Sequence, residues 1–149
     1  MTDAERFMQH YLEVWPTFDA DRLEKAIDPE ATIHHSGMVN PIRGAEEPDY
    51  VRAIKELMPD IELEVANWAA NGDVVFIEYE MRGTLAGQIL SWTGIGRFKL
   101  WGERASDVIG RWDNLDLLAQ IDPNVSPTAF AETAASMVSE AGTAAKGSP

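Results

Sequence analysis

Asp73-Val74-Val75-Phe76-Ile77-Glu78-Tyr79-Glu80-Met81-Arg82-Gly83-Thr84 is the stretch that decides the fold. After the apolar run Val74-Val75-Phe76-Ile77, large apolar side chains alternate with charged ones as far as Arg82, the period of two expected of a strand with one buried face. The same period runs through residues 61–69, 89–101 and 106–115, and the breaks between them hold Asn71-Gly72 and other glycine-containing turns. Four long strands in succession predict an antiparallel meander.

Upstream the period is helical. Thr2-Asp3-Ala4-Glu5 has the form of a capping box, and Phe7, Tyr11, Val14, Trp15 and Phe18 then recur at three- and four-residue steps on one face. Pro16 should kink or end this helix. Asp19 is a candidate cap for a short second helix that buries Leu23, Ala26 and Ile27. Residues 31–35 read as a first strand, followed by the turn-forming run Ser36-Gly37-Met38-Val39-Asn40-Pro41. A third helix is predicted over residues 48–58, with Glu46, Glu47 and Asp49 at its positive end and Pro59 beyond its last turn. Its apolar stripe is Tyr50, Val51, Ile54, Leu57 and Met58. Three helices followed by a meander give an α+β fold: a curved antiparallel sheet packed on the N-terminal helices as a cone around an apolar pocket. This domain should span residues 1–122. From 123 to 149 the composition shifts to Ala, Ser, Thr and Gly, which reads as an appended tail with a weak helix over 127–141 and a frayed Gly-Ser-Pro end.

Composition narrows the function. The 149 residues suit one domain, and 45% hydrophobic with 25% charged residues is ordinary for a globular chain. The 25 acids against 12 Lys and Arg leave a formal charge of -13, which repels phosphate backbones and anionic lipid. Nucleic acid is therefore not an expected partner. Without cysteine there is no disulfide, thiolate metal site or cysteine nucleophile. The acidic N-terminus does not read as a signal peptide, and no apolar run approaches the roughly 18 residues of a membrane span. A cytoplasmic protein with no membrane contact is the expectation.

The stretch from Phe76 to Gly87, then Thr93-Gly94-Ile95-Gly96-Arg97-Phe98, then Arg111-Trp112-Asp113-Asn114-Leu115-Asp116, resembles the SnoaL-like polyketide cyclase branch of the nuclear transport factor 2-like superfamily. Ketosteroid isomerases and limonene epoxide hydrolases belong to the same superfamily. The likeness covers roughly residues 3–121. It implies a cofactor-independent enzyme in which Asp113 handles protons inside the pocket, acting on a hydrophobic carbonyl compound by aldol-type cyclisation or isomerisation. It also implies a homodimer formed through the outer face of the sheet, where Phe76, Glu78 and Glu80 would point. Two other functions stay open: epoxide opening by an Asp-activated water, and a non-catalytic domain that binds a small hydrophobic molecule or merely forms a dimer.

With Asp113 facing the pocket, Arg111 would share its side of the strand and Trp112 would point away. A dry pocket raises a carboxyl pKa and a close Arg lowers it, so the two neighbours would tune Asp113 in opposite directions. The alternative for Asp113 is a strand-end carboxylate accepting turn hydrogen bonds. His34 and His35 are adjacent and must point to opposite faces, which argues against a shared metal. His35, inward together with Ile33, is the candidate to orient a substrate or relay a proton. Tyr11, Trp15, Tyr50, Tyr79, Met81 and Trp92 are candidate lining residues, although Tyr11 and Trp15 read equally well as plain core. Trp92 reads as lying in a loop between strands.

Overall fold

The computed structural model describes residues 1–146 and divides into two compact units, Met1–Asn114 and Leu115–Pro149. The division falls at the end of the last strand, ahead of the composition shift at residue 123 that marked it in the sequence. The Gly-Ser-Pro end lies outside the described residues.

The first unit begins with α1 (Asp3–Val14). Its capping box forms: the Thr2 hydroxyl accepts from the Glu5 amide at 3.2 Å, and the Glu5 carboxylate accepts from the Thr2 amide at 2.6 Å. Pro16 converts the chain into a 3-10 turn, Trp15–Thr17, which Phe18 closes in the left-handed region. The second short helix, Ala20–Lys25, is capped by Asp19 as expected but is also a 3-10 helix. There follow β1 (Ile27–His34), the short β2 (Ile42–Arg43), α2 (Glu47–Leu57), β3 (Glu62–Asn71), β4 (Val74–Leu85), β5 (Gln88–Trp101) and β6 (Arg104–Trp112). The chain ends in α3 (Asn114–Ile121) and α4 (Ala129–Lys146), which places the tail helix a little later than its composition suggested.

The six strands form one sheet in the order β2-β1-β6-β5-β4-β3. It is mixed rather than wholly antiparallel, because β1 lies parallel to β6. The reason is the connection through α2, which carries the chain from β1 across to β3 at the opposite edge. The meander then returns strand by strand until β6 meets β1 from the other side. Register shifts at Val65/Asn67 in β3 and at Lys99/Leu100 in β5 add twist, so the sheet curves without closing.

Period-two burial in β4 turns Val75, Ile77 and Tyr79 inward, and Phe98 and Leu100 of β5 join them. The aromatic stripe of α1 packs on this inner face: Phe7 and Tyr11 meet Phe98 with ring centroids 5.2 and 5.5 Å apart. Burying a side chain the size of Phe7 contributes about 1.5–3 kcal/mol. Leu57, assigned to the buried stripe of α2 from its spacing, is 64% exposed, since it is the last helical residue and turns past the sheet. Trp92 lies within β5 opposite Met81, not in a loop.

Candidate active site

The site is assembled where β1 ends and α2 begins. Ile33 is buried, and alternation carries His35, just past β1, to the same inner side. Glu47 opens α2, and its side chain is only 1% exposed although it is charged. The two meet: His35 Nε2 lies 2.8 Å from Glu47 Oε2, with the His35 side chain 11% exposed. A carboxylate accepts but does not donate, so Nε2 is the donor toward an ionised Glu47, and in the neutral imidazole that leaves the lone pair on Nδ1. Burying a carboxylate is costly unless it is paired, and among the described residues His35 is that pair.

Tyr50 lies one helical turn beyond Glu47. Its ring stacks on the imidazole at 4.1 Å between centroids and 17° between planes. Burial pushes the Tyr50 phenol up to about 12, and the negative charge of Glu47 adds to the rise. Trp112, the last residue of β6, brings its ring to 6.1 Å from the imidazole. Two bonds clamp the loop after His35 to the end of β6, and a third braces the β6 side of the clamp. The Ser36 hydroxyl donates to the Trp112 carbonyl at 2.9 Å, the Asn114 amide donates to Ser36 Oγ at 3.0 Å, and the Trp112 indole donates to Asn114 at 2.9 Å. Gly37 belongs to the clamp as well. Its φ is +83°, and a Cβ there would stand 2.8 Å from the Asn114 amide nitrogen.

Further along the inner face, Tyr79 of β4 is paired with Gly94 of β5, which is paired in turn with Trp112. The Tyr79 ring lies over Gly94 so closely that a Cβ there would come within 2.4 Å of the hydroxyl oxygen. Burial pushes the Tyr79 phenol up to about 12, with Tyr50 contributing second. Tyr11 is raised far above the ordinary phenol range by burial first and Tyr79 second. All three phenols are therefore neutral hydrogen-bond donors at physiological pH.

The residues singled out in the sequence separate into two groups. His35 and Tyr50 come together. Tyr11, Trp15 and Tyr79 lie in the core of the same unit, with Met81 and Trp92 partly buried against it. Arg111 and Asp113 do not join them. Because Trp112 is the residue that turns toward His35, Arg111 falls on the outer face opposite Ile95, exposed, with its guanidinium donating to the Gly110 carbonyl at 3.0 Å. Asp113 follows the end of β6 and is exposed. The expected inward pairing of these two side chains is thus corrected by the parity of the strand. Glu47, Ser36 and Asn114 were not found from sequence. Glu47 looks there like any acid at a helix start, and twelve residues separate it from His35.

Among the described residues no three His, Asp or Glu side chains form a group that could hold a metal ion, and no helix is long and apolar enough to cross a membrane.

In the first unit a curved open sheet with helices packed on its inner face defines a small α+β fold of the cone type. The chain belongs to the SnoaL-like domain family, whose model matches residues 8–108. Solved structures share the fold. A protein of Acidithiobacillus ferrooxidans provisionally classed as a polyketide cyclase superposes with a TM-score of 0.69 at 20% identity, over 80% of this chain and 94% of that one. IdmH of Streptomyces antibioticus, also provisionally a polyketide cyclase, gives 0.70 at 20% identity over 79% and 97%. An LEH-like epoxide hydrolase of M. tuberculosis gives 0.67 at 18% identity over 79% and 88%. No curated protein sequence matches the chain.

Proposed function

We propose that this protein is a cofactor-independent acid–base enzyme of the cyclase or isomerase kind, acting on a small hydrophobic carbonyl compound, with His35 as the proton-transferring base. The observation that carries the reading is the buried Glu47 carboxylate at 2.8 Å from His35 Nε2. It fixes the tautomer, leaves Nδ1 as the lone-pair nitrogen, and stabilises the imidazolium that forms when Nδ1 takes a proton. Tyr50 holds the ring in plane by stacking, and neutral phenols nearby offer hydrogens to an oxygen that becomes negative as the α-carbon loses its proton. The proton passes from the α-carbon to Nδ1, the electron pair moves onto the carbonyl oxygen as an enolate, and return of the proton to a different atom completes an isomerisation. Attack of the enolate carbon on a second carbonyl gives an alkoxide, which takes the proton back from Nδ1 and completes a cyclisation.

The resemblance to SnoaL-like cyclases favours Asp113 in that role, and the two readings differ in a measurable way. The assay is deuterium exchange at the α-carbon of 1-tetralone in D₂O, followed by NMR. Exchange faster than that given by the same concentration of free imidazole supports the proposal, and exchange at the imidazole rate contradicts it. Phe76, Ile95, Glu78 and Glu80 are exposed on the outer face of the sheet, and that face is proposed as the surface of a homodimer.

A further inference from the structure

The chain contains five asparagines, and their surroundings set one of them apart. Asn71 closes β3, and Gly72 and Asp73 form the two-residue turn that joins it to Val74 of β4. An asparagine side chain can react with its own backbone: when the amide nitrogen of the next residue reaches Cγ, a succinimide ring closes and ammonia leaves. The reaction needs a next residue small enough to permit the approach, a next N–H free of any bond, and a carboxamide that nothing else holds. At Asn71 all of these conditions are met among the described residues. The side chain is exposed and makes no hydrogen bond, the Gly72 N–H makes none, and Gly72 has φ +61° with nothing within 4 Å of where a Cβ would stand. Glycine also keeps the backbone freedom that lets its nitrogen swing toward Cγ.

The other four asparagines each fail a condition. Asn40 precedes Pro41, whose nitrogen carries no hydrogen. The Asn67 carboxamide accepts from the Trp68 N–H at 2.9 Å, and the bulky indole follows it within β3. The Asn114 carboxamide is held in the clamp, donating to Ser36 at 3.0 Å and accepting from the Trp112 indole at 2.9 Å. Asn124 folds onto Asp122: its side-chain amide donates to that carboxylate at 3.2 Å, and the next N–H, of Val125, donates to the Asp122 carbonyl at 3.1 Å.

We propose that Asn71 is a spontaneous modification site, where the carboxamide is converted with water as co-reactant to an aspartyl or isoaspartyl carboxylate. The Gly72 nitrogen gives its proton to solvent base and bonds to Asn71 Cγ, the Cγ–Nδ2 bond breaks, and Nδ2 leaves as ammonia. Water then opens the succinimide at Cγ to give aspartate, or at the main-chain carbonyl carbon to give isoaspartate, in which the chain runs on through the side-chain carbons. Either product adds one negative charge to the -13 of the chain. The isoaspartyl form also lengthens the backbone where Asn71 pairs with Val74, and it makes the chain a substrate for an enzyme that methylates isoaspartyl carboxylates.

The test holds the full folded chain warm in mildly alkaline buffer. Samples taken over time are read by isoelectric focusing, by peptide mapping with mass spectrometry, and by methyl transfer from labelled S-adenosylmethionine through an isoaspartyl methyltransferase. A band more acidic by one charge is expected to grow, the mass gain of amide-to-acid conversion should fall in the peptide that spans Asn71, and that peptide should take the label. In Asn71→Gln the band should be lost, and in Gly72→Ala, whose methyl group crowds the approach, it should grow more slowly than in the wild type. Charge gained at Asn71 without methyl transfer would support the site with aspartate as its product. A wild type that gains no charge, a gain that maps first to another asparagine, or growth at the wild-type rate in either variant would overturn the site.

Discussion

Each tyrosine of the chain is buried to a degree that alters its titration. Tyr50 and Tyr79 are raised to about 12 and Tyr11 beyond the ordinary range, burial being the leading cause for all three. The sign follows from linkage. A folded pKa above the unfolded value of about 10 means the unfolded chain loses its phenol protons first, so stability is intact below about pH 10 and falls as pH rises toward 12. Spectrophotometric titration of the folded protein should show almost no tyrosinate at pH 10, whereas the chain in denaturant should be near half-ionised there. Early tyrosinate in the folded protein would mean that the phenols are wet. The sequence shows these aromatics plainly, and it shows His35 as the inward histidine through its partner Ile33. It could not show Glu47. A helix-start acid is usually solvated, and only the fold reveals that this one is sealed against an imidazole twelve residues away.

At the scale of elements, the site depends on how the loop after β1 is fastened to the end of β6. Ser36, Trp112 and Asn114 make that fastening, and Gly37 permits it by adopting φ +83° against the Asn114 side chain. Gly72 is a natural control, because its φ is also positive, +61°, but a Cβ there would meet nothing within 4 Å. Gly72→Ala should cost about 1 kcal/mol from the left-handed backbone alone. Gly37→Ala should cost more in thermal unfolding and should also slow tetralone exchange, since it pushes Asn114 away. Equal losses for the two variants would show that the clamp contributes nothing. The helices and the meander were legible because their periods of 3.6 and two persist over many residues. The parallel pairing of β1 with β6 was not, because it depends on a return path across the sheet that no local pattern encodes. That same gap misplaced Arg111 and Asp113. Alternation along a strand says which residues share a face, and the inward Trp112 decides which face that is.

For the whole molecule, the outer face of the sheet exposes Phe76 and Ile95 between charged neighbours, Ile95 lying opposite both Glu78 and Arg111. If that face joins two copies, Ile95→Glu should convert a dimer to a monomer in sedimentation equilibrium while leaving the fold unchanged. A wild type of monomer mass would remove the dimer proposal. Family membership and the α+β order were both readable from the sequence, because the meander and its ending are where the family resemblance is concentrated. The identity of the reacting groups was not, since one fold carries many chemistries.

The most direct test of the central claim is the rate of α-deuterium exchange into 1-tetralone by His35→Gln beside that by Asp113→Asn. Gln keeps an amide donor toward Glu47 but removes the titrating ring, so the buried carboxylate is not left unpaired. The account expects exchange to fall by about 10²-fold or more in His35→Gln, the usual contribution of a positioned base, and to stay near wild type in Asp113→Asn. Exchange that survives the loss of His35 and collapses with Asp113 would contradict it.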